Sequence, residues 1–286
     1  MGDPFVTSEI DDGLYRIVDV LGNHAYLVIG QTRALLVDSC GGFGNIRSCV
    51  EALTDLPVTV ALTHGHEDHL MGAYWYEEAY MSPLDGGTSC WELAEDHTSR
   101  IFRQVVEEGL IDEGEPFSLR DGSRPREVAS HGGDTFDLGG RTVRAFELPG
   151  HTVGSIGYLV EDLRVLLLGD AITPIMCLFF EDSLSIAGWR ATLERMQTMP
   201  FDVFYTGHHD HAFGVETLPS FIAAADFALT DRGMEWEHNR LHEFRGIIHL
   251  CPCDTFDADS VDFRAVIEPW HELAPRKRRR RRKTMG

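Results

Sequence analysis

A chain of 286 residues, 43% of them apolar, is long enough for one large α/β domain with insertions, and it has no apolar run near the roughly 18 residues of a membrane-spanning helix. Its net charge of −21 understates the acidity of residues 1–275, where 17 basic residues face 46 acidic ones, because Arg276-Lys277-Arg278-Arg279-Arg280-Arg281-Arg282-Lys283 gathers eight cations at the end. Such an acidic body repels phosphate backbones and argues against nucleic acid as the main substrate, and with both lysines in the tail it has none for a phosphate clamp or a Schiff base.

Met1-Gly2-Asp3-Pro4 has no apolar core of a secretory signal, so the cytoplasm is the expected compartment. The six cysteines (Cys40, Cys49, Cys90, Cys177, Cys251, Cys253) are scattered through a chain too large to need stapling, and Cys251-Pro252-Cys253 lacks the second pair of a metal-binding motif. Short apolar runs at 25–29 and 34–38, separated by Gly30-Gln31-Thr32-Arg33, predict a hairpin. Gly41-Gly42-Phe43-Gly44 has neither the glycine spacing nor the lysine of a phosphate loop and is expected to be a turn. Asn45 is placed to cap a helix running to about residue 53, and Pro57 precedes a strand over 58–63.

His64-Gly65-His66-Glu67-Asp68-His69 follows that strand directly. Three imidazoles and a carboxylate within six residues are the donors a borderline cation such as Zn²⁺ accepts, and no structural need gathers them at one strand end. Helical spacing over 70–80 puts Asp68 and His69 where a helix begins, and free backbone N–H groups there favour an ionised carboxylate. Residues 81–133 interrupt the alternation with a helical stretch, about 90–110, between turns: either a cap inserted over the cluster or an ordinary surface excursion.

Strands are predicted again at 142–148, 155–160 and 164–168, then a helix near 187–199, a strand at 202–206, one or two helices over 218–240 and a closing strand at 244–250. The alternation argues for α/β layers with helices covering sheets. Three of these strands end on further donors, in Pro149-Gly150-His151-Thr152, Gly169-Asp170 and Gly207-His208. Singly each is a commonplace strand-end residue. As a series, each lies where neighbouring strand ends would gather.

With these four landmarks the chain resembles the metallo-β-lactamase-fold hydrolases over roughly residues 10–215. The resemblance implies an α/β (α+β) fold, a four-layer αββα sandwich; residues 1–275 are read as that one domain, with 81–133 as the helical cap insertion, and the charge run marks 276–286 as a disordered basic tail. It implies a binuclear metal site: His64, His66 and His151 on one ion, Asp68, His69 and His208 on the other, and Asp170 bridging. Asp38 matches a position of the family that supports the ligands, although a strand-end turn aspartate has the same spacing. Two divalent cations about 3.5–4 Å apart can share a water, make it acidic near neutral pH and polarise the oxygen under attack, with Asp68 taking up or steering the proton.

Asp170 stands where true β-lactamases of this fold differ, and the body has no lysine for an antibiotic's carboxylate. Flavin-coupled di-iron enzymes of the fold carry glutamate where His66 stands, so His66 favours two zinc ions per chain, with iron or manganese as alternatives. The resemblance then narrows to the group of glyoxalase II, thioesterases and lactonases, acting on an ester, thioester or lactone of a small molecule. A metal-dependent phosphodiesterase or ribonuclease of the same fold, or a non-catalytic metal-binding protein, are the alternatives. The missing lysines weaken the glutathione-thioester reading. The apolar run 172–180 would form an acyl pocket if it lined the site, but apolar runs are usually buried, and it is expected to be core. His208 is chosen over His209 and His211 because Gly207 precedes it. His24, His97, His131, His238, His242, His249 and His271 have no such context. The tail is expected to be solvated, with an anionic surface or partner as the other reading.

Overall fold

A computed structural model describes residues 4–238, 244–253 and 257–270; the basic tail, His242 and His271 lie outside them. The first sheet follows chain order: β1 (Phe5–Asp11), β2 (Leu14–Asp19), β3 (His24–Ile29) and β4 (Ala34–Val37) form an antiparallel meander. After α1 (Ile46–Glu51) the sheet continues in parallel through β5 (Val58–Ala61), β6 (Glu78–Met81) and β7 (Arg126–Ala129). α2 (Glu67–Leu70) follows β5, and α3 (Thr88–Glu107) and α4 (Ser118–Asp121) stand between β6 and β7. Asn45 does cap α1, its side-chain oxygen accepting the Ser48 N–H at 3.1 Å.

The second sheet contains β8 (Thr135–Asp137), β9 (Thr142–Glu147), β10 (Ile156–Val160), β11 (Val165–Leu167), β13 (Val203–Tyr205) and β14 (Phe213–Gly214), in the order β14-β13-β11-β10-β9-β8. β12 (Ile175–Cys177), α5 (Ile186–Met196) and α6 (Leu218–Ala228) precede β15 (Met234–Glu237), β16 (Arg245–Leu250) and β17 (Ala265–Pro269), and a small sheet joins them in the order β12-β17-β16-β15.

Why the central strands are apolar at every position follows from three cores. Tyr26, Val28, Leu35, Val37 and Ala61 of the first sheet meet Val143, Ala145, Ile156, Tyr158 and Leu167 of the second. The alternate residues Ala25, Leu27, Ala34 and Leu36 face α1 and α3, and Leu159 and Leu166 face Trp189, Leu193 and Phe221 of α5 and α6. Period-2 side chains with both faces covered give continuous hydrophobic strands and four layers, α-β-β-α, as expected. Each fully buried Leu or Phe contributes about 1.5–3 kcal/mol.

Two expected helices are corrected. The helix over 70–80 starts earlier, at Glu67, passes through a 3₁₀ turn at Met71–Trp75 and gives way to β6, whose Ala79 and Met81 are buried. Parallel pairing of β6 with β5 and β7 on both sides outweighs the local helical spacing. Likewise α6 stops at Ala228, and 234–237 pair with β16 instead of continuing a helix. The excursion is narrower than 81–133, since Arg126–Ala129 returns to the sheet. It has a small core of its own, in which Phe102 stacks on Phe117 at 4.0 Å and Ile101 and Val105 pack with Phe43.

Candidate metal centre

β4 and β5 run parallel, as do β11 and β13, while β10 is antiparallel to both β9 and β11. The C-terminal ends of β5, β9, β11 and β13 therefore reach one rim, and each carries one set of donors: His64 to His69, His151, Asp170 and His208. Backbone bonds tie the two sheets together there, with Ile156 N donating to Thr63 O at 2.8 Å and His24 N to Gly207 O at 2.8 Å.

All seven residues meet. Ligand atoms of His64, His66 and His151 lie within 4.8 Å of one another, as do those of Asp68, His69 and His208, and those of His64, His69 and Asp170 between them. Asp170 Oδ2 is 3.2 Å from His208 Nε2 and 3.8 Å from His151 Nε2, and its Oδ1 is 3.6 Å from His69 Nε2. His66 Nδ1 is 2.9 Å from His151 Nε2.

Hydrogen bonds behind the rings set their tautomers. His69 Nδ1–H donates to Asp38 Oδ2 at 2.9 Å. His64 Nδ1 lies 3.0 Å from Thr63 Oγ1, whose own proton goes to Asp38 Oδ2 at 2.8 Å, so His64 also presents its Nδ1–H backwards. His151 Nδ1–H donates to the Cys177 carbonyl at 2.8 Å. His64 and His151 are each left with an Nε2 lone pair facing the centre, and His69 turns its Nε2 the same way, the orientation that outer hydrogen bonds give metal-binding histidines. The buried atoms His64 Nε2, His69 Nε2 and Asp170 Oδ1 have no hydrogen-bond partner. Buried polar atoms left without partners are costly, and two imidazoles with a carboxylate suit a borderline divalent cation.

Electrostatics divide the cluster. Burial, with the neighbouring imidazoles, pushes His64 well below its ordinary range and His151 down to about 4, which keeps both rings neutral. Burial opposes charge on His69 as well, but Asp68, Asp38 and Asp170 outweigh it and lift that ring to about 10. Despite burial, His208 and His69 hold the Asp170 carboxyl well below the carboxylate range.

Two glycines make room. Gly169, at φ 51°, would place a Cβ 2.1 Å from Thr63 Oγ1, and Gly207 would place one 2.5 Å from His69 Cε1 and 2.6 Å from Asp170 Oδ1. Asp38 itself adopts φ 60° and accepts the Thr63 N–H at 2.7 Å, the Thr63 hydroxyl and the His69 ring. It thus supports two rings from behind, the arrangement that the spacing alone left open. Asp38→Ala leaves those buried donors unpaired. It is expected to cost about 3 kcal/mol of stability and roughly 10–100-fold in affinity for a divalent metal, read by denaturant unfolding and metal titration. Unchanged affinity would remove Asp38 from the account.

Asp85, which no sequence signal marked, accepts Thr152 Oγ1 at 2.5 Å and Gly154 N at 2.8 Å and so pins the turn that carries His151. Asp182 Oδ2 lies 3.9 Å from His66 Nε2. Of the other histidines, His97 Nδ1 is 3.4 Å from Glu67 Oε1, and His249 is buried between Asp231 and Glu268.

A cavity of about 530 Å³ opens on the rim, lined by His66, Asp68, His151, Asp170 and His208 together with the apolar Val20, Ile101, Leu110, Phe179, Phe180 and Phe244. A larger groove, about 780 Å³, between Arg33, Arg47, Asp55 and Tyr76 contains none of the candidate ligands. The run 172–180, expected to be core, divides. Met176 and Leu178 are buried, whereas Ile175, Cys177, Phe179 and Phe180 line the cavity: side chains of β12 alternate between its faces, and past the strand's end both phenylalanines turn to the cavity.

Residues 18–208 match a family model described as the metallo-beta-lactamase superfamily. A hydroxyacylglutathione hydrolase of Acidiphilium cryptum (strain JF-5) is 26% identical over 227 residues, 79% of either chain. A thioesterase of Emericella nidulans is 27% identical over 233 residues, 76% of this chain and 57% of that protein, so this chain spans little more than half of that relative. Among solved structures, a metallo-beta-lactamase family protein from Thermus thermophilus superposes with a TM-score of 0.55 at 21% identity, over 78% of this chain and 84% of the other.

Proposed function

The chain belongs to the metallo-β-lactamase superfamily and is one of its hydrolases, and from that premise we propose that it uses two zinc ions to cleave an ester, thioester or lactone of a small molecule in the cytoplasm. The observation that carries this reading is the convergence of buried polar atoms without hydrogen-bond partners, His64 Nε2, His69 Nε2 and Asp170 Oδ1, inside a seven-residue cluster beside a cavity. His64, His66 and His151 would hold one ion, Asp68, His69 and His208 the other, and Asp170 would face both.

Zinc bound there would supply Lewis acidity, polarising a substrate carbonyl and acidifying a water. The chain's own groups do the rest. Asp38, Thr63 and the Cys177 carbonyl hold the rings in the tautomer that offers Nε2. Asp68, a third exposed and with Oδ2 3.4 Å from His208 Nε2, is placed to take the proton of the attacking water on its carboxylate. Among the described residues no helix is long and apolar enough to cross a membrane, and no two cysteines are joined by a disulfide.

The test is a panel of aryl esters, thioesters and lactones offered to zinc-loaded protein. Turnover of one class, lost on chelation and restored by zinc, is expected. A protein that retains zinc yet hydrolyses none of them would be a metal-binding protein without this activity.

A further inference from the structure

One wall of the cavity is built from large apolar side chains that the fold leaves half-covered. Phe179 and Phe180 lie ring to ring at 4.2 Å with a 32° tilt, and Phe244 meets Phe180 edge-on at 5.3 Å and 79°. Ile101 and Leu110 of the 82–125 excursion and Val20 of the β2–β3 turn continue the wall. This wall abuts the ligand cluster directly: the Phe180 ring is 4.4 Å from His66 and 5.3 Å from His151. A carbonyl held at the cluster therefore has its substituent against Phe180. Phe179, Phe180 and Phe244 are only half-buried, so a ligand has apolar surface left to cover.

The charges point the same way. Among the described residues lining the cavity there is no lysine or arginine, and Glu67 adds a carboxylate beyond those of the cluster. An anionic substituent would be desolvated without a counter-charge, which costs several-fold to many-fold in affinity. An aromatic ring instead completes the edge-and-face arrangement that Phe179, Phe180 and Phe244 begin. We propose that the substrate's acyl group is an uncharged aromatic ring system seated on Phe180 and Phe244, a reading that rests on the hydrolytic function proposed above. A volume of about 530 Å³ accommodates two fused rings and a small leaving group.

Four thioesters of one uncharged thiol, N-acetylcysteamine, test this on the zinc-loaded protein: 2-naphthoyl, octanoyl, acetyl and succinyl. The expected order of kcat/KM is naphthoyl, octanoyl, acetyl, succinyl, with naphthoyl above acetyl by at least about tenfold. Phe180→Ala and, on a separate element, Phe244→Ala should each lower the naphthoyl-to-acetyl ratio by about tenfold. Leu110→Arg, at a position 42% exposed and so tolerant of the change, should raise succinyl relative to naphthoyl by a similar factor.

Octanoyl ahead of naphthoyl, succinyl ahead of acetyl, or ratios indifferent to both phenylalanine variants would each overturn the proposal. Calorimetric binding of the amide analogues of the naphthoyl and succinyl compounds separates it from the hydrolytic reading. Naphthoyl amide bound at least about tenfold tighter without turnover of any thioester would leave the pocket assignment standing and sink thioester hydrolysis. Turnover without any such preference would do the reverse.

Discussion

His66→Ala is expected to lower hydrolysis by about a thousandfold or more with the fold unchanged, since loss of mere outer partners of metal ligands already costs about 10–100-fold. The ring is placed for a metal and for little else. It stands at the N-cap of α2, just before Glu67, without making a side-chain capping bond, its side chain is 18% exposed, and its Nδ1 faces the His151 ring at 2.9 Å. Replacing it removes one of three imidazoles that would hold the first ion but breaks no bond that supports the backbone. Turnover assays paired with far-UV circular dichroism and unfolding of the metal-free protein decide the matter. Full activity in a folded variant would mean that hydrolysis arises elsewhere in the molecule.

Asp170→Ala is expected to take zinc content from about two ions per chain to well below one, both ions being lost together. Asp170 reaches rings of both groups, His151 and His208 through Oδ2 and His69 through Oδ1. Its carboxylate is also a large share of the anionic charge that would offset two dications in a buried setting, where uncompensated charge costs several kcal/mol. Metal analysis of the purified variant by mass spectrometry reads this directly, and retention of two ions would remove Asp170 from the bridging position.

The candidate site was far more legible in the sequence than the fold around it. Each donor sits immediately after an apolar strand, and a strand followed by a polar turn is a local signal, so His64 to His69, His151, Asp170 and His208 could be read one stretch at a time. The hairpin of β3 and β4 and the Asn45 cap are local in the same sense. What escaped depends on distant partners. β6 looks helical by spacing and is a strand because β5 and β7 flank it; Met234–Glu237 continues a helical stretch by composition and pairs instead with β16. β1, with one buried residue in Phe5–Asp11, is an edge strand whose exposed polar residues hide its period. Asp85 gains its partners only when the turn at Thr152 folds against it. The wall of Phe179, Phe180 and Phe244 joins two segments far apart in the chain, and a run that alternates between core and cavity reads in one dimension as core.

Zinc titration of the chelator-stripped protein against turnover tests the two-ion account most directly. Hydrolysis should be absent in the stripped protein and should return with a break near two equivalents per chain. Undiminished turnover by protein freed of metal would contradict it.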